Sequence, residues 1–511
     1  MVSIATEMRS SSTRSCQLIT VIRVEAMNVI QQDLPRKKSL KRVERILGSL
    51  SFLVCISFLG VSVASGQTEK EDWQFGKAKV NITPMEPMWM SGYGGRDRVA
   101  EGKLTDLWAK VLVLKPKTGD MAILITLDLV GIDQTLSDSV RKRLADEHDV
   151  EVERIVLCCS HTHTGPVVGM NLAPLHYFQV GPVHQAEIDE YAEWLKSQVI
   201  KSVSEAMKNL TSGSVSWGTG RCEVAVNRRN NREASVPSVR SGGELAGPTD
   251  HDTPVLAIKD SDNRLQVIVF GYACHATVLS FYQWSGDYPG YAQMALETRL
   301  PGVQAMFWAG CGGDQNPLPR RKVELARHYG ERLALAVESV IATQELRPVA
   351  ASLESRSASI PLPYASVPEL SELQETLDSK DRFEKARAEW LLGIVEAKGG
   401  LSETYPYPIV TWNLGDQIQW VFLGGEVVVD YALRIKKENR GTSTWVAGYT
   451  NDVMAYIPSR RVLREGGYEG VGAMVYYGLP GPWHETVEQR IMDEVTSQLS
   501  EVEDESTDRQ K

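Results

Sequence analysis

The chain has 511 residues, 42% of them hydrophobic and 23% charged, with a formal net charge of −10. That is length enough for a large core and a composition near the globular average, so a fibrous, disordered or disulfide-scaffold protein is excluded. The acidic balance argues against nucleic acid and anionic membrane as main partners.

In chain order, a basic stretch, "PRKKSLKRVER", precedes the apolar run "ILGSLSFLVCISFLGVSVASGQ". Positive residues, an apolar segment and a small-residue exit at Ala64-Ser65-Gly66 form the pattern of a secretory signal. The expected location is therefore secreted or periplasmic, with an uncleaved membrane anchor as the alternative. The first 26 residues are long and mixed for a signal, and a start at Met27 suits the pattern better. The expected division is residues 1–66 as extension and signal, 67–500 as one large folded unit, and 501–511 as a charged tail.

Five cysteines follow the exit site: Cys158, Cys159, Cys222, Cys274 and Cys311. An odd number leaves at least one unpaired, and the density is too low for a disulfide framework, so they read as buried thiols. Adjacent Cys158 and Cys159 would point to opposite faces of a strand.

Short β-branched runs predict strands at 107–114, 121–132, 154–160, 254–260, 265–274, 303–310, 417–425 and 443–450. Helical periodicity predicts helices at 135–148, 186–209, 321–345, 368–397, 427–438 and 483–500. Their interleaving predicts an α/β fold, with mixed β-sheets flanked by helices. Residues 228–252 are polar and read as a long loop.

"LCCSHTHTGP" (Leu157 to Pro166) places His161 and His163 just past a predicted strand. Residues i and i+2 of an extended chain share a face, so both imidazoles can enter one cleft, as metal ligands or as ordinary hydrogen-bonding groups. His275 ends a second apolar run, "VIVFGYACHAT". Two strands ending in histidine strengthen the metal reading. Asp128, Asp287, Asp314 and Glu426 are carboxylates that could complete a set. For Glu426 the plainer reading is charge complementation at a helix start. Asp250-His251-Asp252 reads as a cap or salt-bridge site. Trp308, Trp412, Trp420 and Trp445 either line an acyl pocket or belong to the core, and core is the ordinary reading. No GxSxG elbow supports a serine hydrolase.

"GKAKVNITPMEPMWMSGYGG", "SHTHTGP", "YACHAT", "GGDQNP", "LGGE" and "YIPSRRVLREGGYEG" together resemble the neutral/alkaline non-lysosomal ceramidase family, in the family's order, over roughly 67–490. The resemblance implies a single large catalytic domain of that type, holding one Zn²⁺ and hydrolysing an N-acyl (ceramide-like) amide bond through a zinc-bound water. It implies His161, His275, Glu426 and Tyr456 as metal residues, His163, Arg228 and Tyr468 as catalytic ones, and Asn316 as a substrate contact. The implied partner is an N-acyl lipid or other small amide, with membrane-surface association open and oligomeric state undetermined.

Two departures matter. Asn316 stands where the family carries a serine, so an acyl-enzyme at that position is excluded. The chain also ends soon after Tyr468, so the family's C-terminal immunoglobulin-like domain is expected to be missing. The reading that emerges is a secreted zinc amidohydrolase; the alternative is a non-catalytic or differently specific ceramidase-like binding protein.

Overall fold

The computed structural model describes residues 73–343, 346–439 and 443–508. The signal-like stretch lies outside the described residues.

One mixed sheet runs through most of the chain. Its strands are β1 (Trp73–Asn81), β2 (Trp108–Pro116), β3 (Ala122–Leu127), β4 (Ile155–Cys159), β5 (Thr211–Arg221), β7 (Asp252–Asp260), β8 (Leu265–Tyr272) and β9 (Gln304–Ala309). They lie in the order β9-β8-β7-β5-β1-β2-β3-β4, and Arg347–Pro348 adds a short pairing on β5. The pairs β3–β4 and β8–β9 are parallel and the others antiparallel. A separate small pairing unit is formed by β6 (Ala225–Asn227) and β10 (Gln315–Pro317).

Alternate residues of the large sheet face two different cores. Ala109, Val111 and Val113 pack with Leu157 and Cys159 under helices α1 (Gln134–His148), α2 (Pro182–Lys208), α3 (Asp287–Arg299) and α4 (Val323–Ala342). Leu112, Leu114 and Cys158 face a second sheet. The strand at 155–159 thus sends its two cysteines to opposite cores, and all five cysteines are free and buried.

The second sheet has the order β11-β12-β13-β15, from β11 (Leu353–Pro363), β12 (Thr404–Leu414), β13 (Ile418–Leu423) and β15 (Ser443–Ala447). Trp308 of the large sheet meets Trp420 at 5.3 Å between ring centroids, and Trp420 meets Trp445 at 5.2 Å. With Trp412 they fill the seam between sheets, so the four tryptophans are core. The outer face of the second sheet is covered by helices α7 (Val429–Glu438) and α8 (Val487–Asp508). The layers are therefore helix, sheet, sheet, helix, each element burying one apolar face.

Several expectations are corrected. The predicted helix at 368–397 is two helices, α5 (Leu370–Thr376) and α6 (Arg382–Lys398). Asp381 caps the second by accepting from Phe383 N and Glu384 N, which starts a new helix there. The 228–252 loop contains a short helix, Val236–Ser241. Glu426 is not at a helix start: it lies in the two-residue strand β14 (Glu426–Val427), paired with β16 (Tyr456–Ile457), and α7 begins at Val429. The strands β5, β11 and β12 and helix α3 are among the additions. Strand β5 is rich in Gly and Ser and β12 carries two prolines, so their patterns are weak.

The large sheet curls strongly. Gln304 on β9 donates to Val111 O on β2 (3.0 Å), and the buried Lys110 donates to Ala305 O (2.7 Å) and pairs with Glu297 (2.7 Å). That curl brings the loop leaving β4 against the loop leaving β8.

Candidate metal centre and active site

Three short β-bridges between distant segments assemble the site. Thr162 pairs with Ala276 in parallel. Side chains alternate, so His161 and His163 on one side of Thr162 and His275 beside Ala276 share a face. The second bridge sets Glu426 opposite Tyr456. The third sets Asn227 opposite Gln315 and Val226 opposite Asn316, which brings Arg228 alongside Asn316.

His161 adopts φ 60°, a left-handed conformation that a non-glycine residue enters at a cost of about 1–3 kcal/mol. It turns the ring back into the protein. His161 Nδ1 lies 2.6 Å from Val130 O, and His275 Nδ1 lies 2.7 Å from Gly312 O. A carbonyl only accepts, so each Nδ1 carries the hydrogen and each Nε2 presents a lone pair. Both lone pairs face one carboxylate oxygen: Glu426 Oε2 is 3.1 Å from His161 Nε2 and 3.0 Å from His275 Nε2. These are ion-pair distances, yet Oε2 has no hydrogen-bond donor. A buried, donorless carboxylate oxygen between two imidazole lone pairs is a donor set that fits a divalent metal. Burial, with Arg228 adding to it, lowers His275 to about 4, so it is neutral at neutral pH.

His163 joins the group: its Nε2 lies 3.1 Å from His161 Nε2, and His161, His163 and His275 together could hold a metal ion. Its Nδ1 has no partner. Burial and the other two imidazoles push its pKa well below the usual value.

The phenol of Tyr456 lies 3.1 Å from His275 Nε2 and accepts from Arg228 Nη2 at 3.1 Å. Arg228 also donates from Nη1 to Asn316 Oδ1 (3.3 Å) and from Nε to Glu469 Oε1 (2.7 Å). Tyr468 is half exposed, with its ring 5.4 Å from that of Tyr456. The structure thus brings all eight residues singled out in the sequence to one place.

Three of the four carboxylates lie elsewhere. Asp128 accepts from Trp108 N (3.0 Å), Asp287 from Leu279 N (2.8 Å), and Asp314 from Val429 N (2.9 Å) and Asn227 Nδ2 (2.9 Å). They fix backbone and Asn227 rather than reach the centre. Asp250 and Asp252 both pair with Lys436, as the salt-bridge reading expected.

Sequence reasoning missed four contributors. Tyr477 donates its hydroxyl to Glu426 Oε1. The ring of Tyr449 packs 4.3 Å from His161. Glu469 holds Arg228. Gly92, at φ 94°, leaves room that a Cβ would fill 2.5 Å from the His163 ring. Gly92 and Glu469 had a signal, since both sit in motifs quoted for the resemblance; Tyr449 and Tyr477 had none.

Residues 73–315 match the family model described as neutral/alkaline non-lysosomal ceramidase, N-terminal. The solved neutral ceramidase from Pseudomonas aeruginosa superposes with a TM-score of 0.63 at 19% identity, covering 83% of this chain and 73% of that one. A structure titled ceramidase complexed with C2 gives 0.63 at 19%, covering 82% and 73%. No curated protein matches the sequence significantly. By sequence, residues 73–315 are thus similar to the N-terminal part of the neutral/alkaline non-lysosomal ceramidases, and the chain carries the fold of the solved neutral ceramidases.

Proposed function

We propose that this chain is a zinc-dependent amidohydrolase that cleaves an N-acyl amide bond. The observation that carries the reading is the donorless Oε2 of Glu426, buried between two imidazole lone pairs. The family match over residues 73–315 supports the choice of amide hydrolysis.

His161, His275 and Glu426 would hold the ion, with Tyr456 beside it. A zinc ion bound there supplies a Lewis acid and a water activated for attack at neutral pH. The remaining chemistry falls to the chain. Arg228 keeps its charge at any working pH and aims two N–H groups at Tyr456 and Asn316, where negative charge on a carbonyl oxygen would develop. His163 is neutral and carries a free Nδ1, so it can take a proton and return it to the leaving amine. The half-exposed ring of Tyr468 would orient the substrate. Asn316 is a hydrogen-bonding partner and forms no covalent intermediate.

A cavity of about 450 Å³ lined by Leu172, Trp390, Ile394 and Leu479 reaches Tyr477 and offers the apolar surface that an acyl chain needs. The basic and apolar stretch before Gln67 supports export. No helix among the described residues is long and apolar enough to cross a membrane. The reading takes 67–500 as one catalytic unit.

The test is metal analysis of the purified protein together with a panel of N-acyl amides. Stoichiometric zinc and chelator-sensitive amide cleavage are expected. Zinc without cleavage of any amide would favour a binding protein on the same fold.

A further inference from the structure

A second cavity, of about 650 Å³, opens beside Arg228. Its lining includes Arg228, Arg229, Arg232 and Arg320 against Glu233, Glu465 and Glu469. Leu318 and the Tyr468 ring are its only large apolar groups, so an alkyl chain gains little there.

The three glutamates are already engaged. Glu469 is shared by Arg228 Nε (2.7 Å) and Arg229 Nη1 (2.5 Å). Glu465 is held by Arg229 (3.1 Å) and Arg461 (3.0 Å). Glu233 takes Arg320 Nε at 3.0 Å. Arg232 is exposed and has no ion-pair partner among the described residues. Four guanidinium groups thus face three carboxylates, and the uncompensated charge sits at Arg232 and the free end of Arg320. Arginine forks suit carboxylates and phosphates because they donate in parallel pairs. The cavity reaches the reactive centre through Arg228 and Asn316, where the family serine is replaced by an amide.

Resting on the amidohydrolase reading, we propose that the amine half of the substrate carries an anionic group (carboxylate, sulfonate or phosphate) that binds in this cavity against Arg232 and Arg320.

The test compares dodecanoyl amides of ethanolamine, glycine, taurine and phosphoethanolamine, which share an acyl chain and differ in headgroup charge. At least one anionic amide should exceed the ethanolamide in kcat/KM by about tenfold or more, in line with charge-assisted hydrogen bonds. The ratio should fall as salt rises, because the pocket is open to solvent. Which anion wins identifies its class. Arg232→Glu should lower the ratio at least about fivefold, and an exposed arginine can be changed without endangering the fold. Equal or faster cleavage of the ethanolamide, or a ratio untouched by Arg232→Glu, would overturn the proposal while leaving amide hydrolysis intact. If no amide is cleaved, calorimetric binding of the four compounds separates the outcomes: tighter binding of an anionic member keeps the pocket and removes the enzymatic reading, and its absence removes both.

Discussion

Glu426 and Tyr456 stand directly opposite each other in a parallel pair only two residues long, with Val427 opposite Ile457 behind them. The pairing puts a carboxylate and a phenol on one face, next to His275. The ring of Tyr456 also stacks against that of His275 at 6.2 Å. Tyr456→Phe keeps the ring and removes only the hydroxyl between His275 and Arg228. The variant should fold normally and lose about tenfold or more in kcat, as loss of a polar group at a reacting centre does. Unchanged steady-state rates would remove Tyr456 from the site.

The two histidines of the first motif should separate on substitution. His161→Ala removes a lone pair facing Glu426, so metal content and activity are expected to vanish together. His163→Ala should retain metal and lose about 10²–10⁴ in rate, the usual range for a proton-transferring group. Metal analysis beside turnover on the same samples decides it. Full activity in a metal-free His161→Ala protein would end the proposed mechanism.

Tyr477 holds the outer oxygen of Glu426. Partners that orient a ligand typically matter about 10–100-fold in metal affinity. Tyr477→Phe should therefore weaken metal binding within that range while leaving the melting temperature of the metal-loaded protein little changed. Competition with a chelator of known affinity measures it.

Gly92 combines a positive φ with a neighbour that leaves no space for a side chain, and its N–H donates to His176 Nε2 at 3.0 Å. Gly92→Ala must displace the ring of His163 or the loop. The expectation is a fall in rate with metal content preserved, since His161 and His275 are untouched. Loss of metal instead would mean that His163 is itself a ligand.

Asp452 is buried and accepts from Tyr405 Oη at 2.6 Å. Burial raises its pKa to about 7, against about 3.9 in an unfolded chain. A raised carboxyl stabilises the fold fully below about pH 4, and that contribution is lost as pH rises through 7, by up to roughly 4 kcal/mol. Asp452→Asn keeps an acceptor for Tyr405 and cannot ionise. The variant should therefore gain stability relative to the wild type progressively between about pH 4 and pH 8. Urea titrations across that window check the sign, and a constant difference would show that the carboxyl titrates normally.

Strong local patterns made much of the fold legible. Strands at 155–159, 265–272 and 304–309 are short apolar runs whose hydrophobicity is nearly independent of context. Histidines at two strand ends, and motifs in a fixed order, pointed to His161, His163 and His275. Their convergence was an expectation that the chain alone could not give a geometry. It depends on the curl of the large sheet and on a single bridge, Thr162 to Ala276, between residues far apart in the chain. The carboxylates show the limit most clearly. Spacing and local chemistry did not separate Asp128, Asp287, Asp314 and Glu426; only the resemblance singled out Glu426, and packing sets it against the imidazoles. The other three accept from backbone N–H groups instead.

By itself the sequence determined the class of elements, the buried thiols and which imidazoles end strands, because periodicity and side-chain chemistry are local properties. Tertiary structure alone decided the distances at which Glu426 meets those imidazoles, that Tyr477 and Glu469 brace the site, and that an arginine-lined cavity lies beside it. Those are distances between segments remote from one another in the chain, and they are set by how curled sheets and short bridges bring loop ends together.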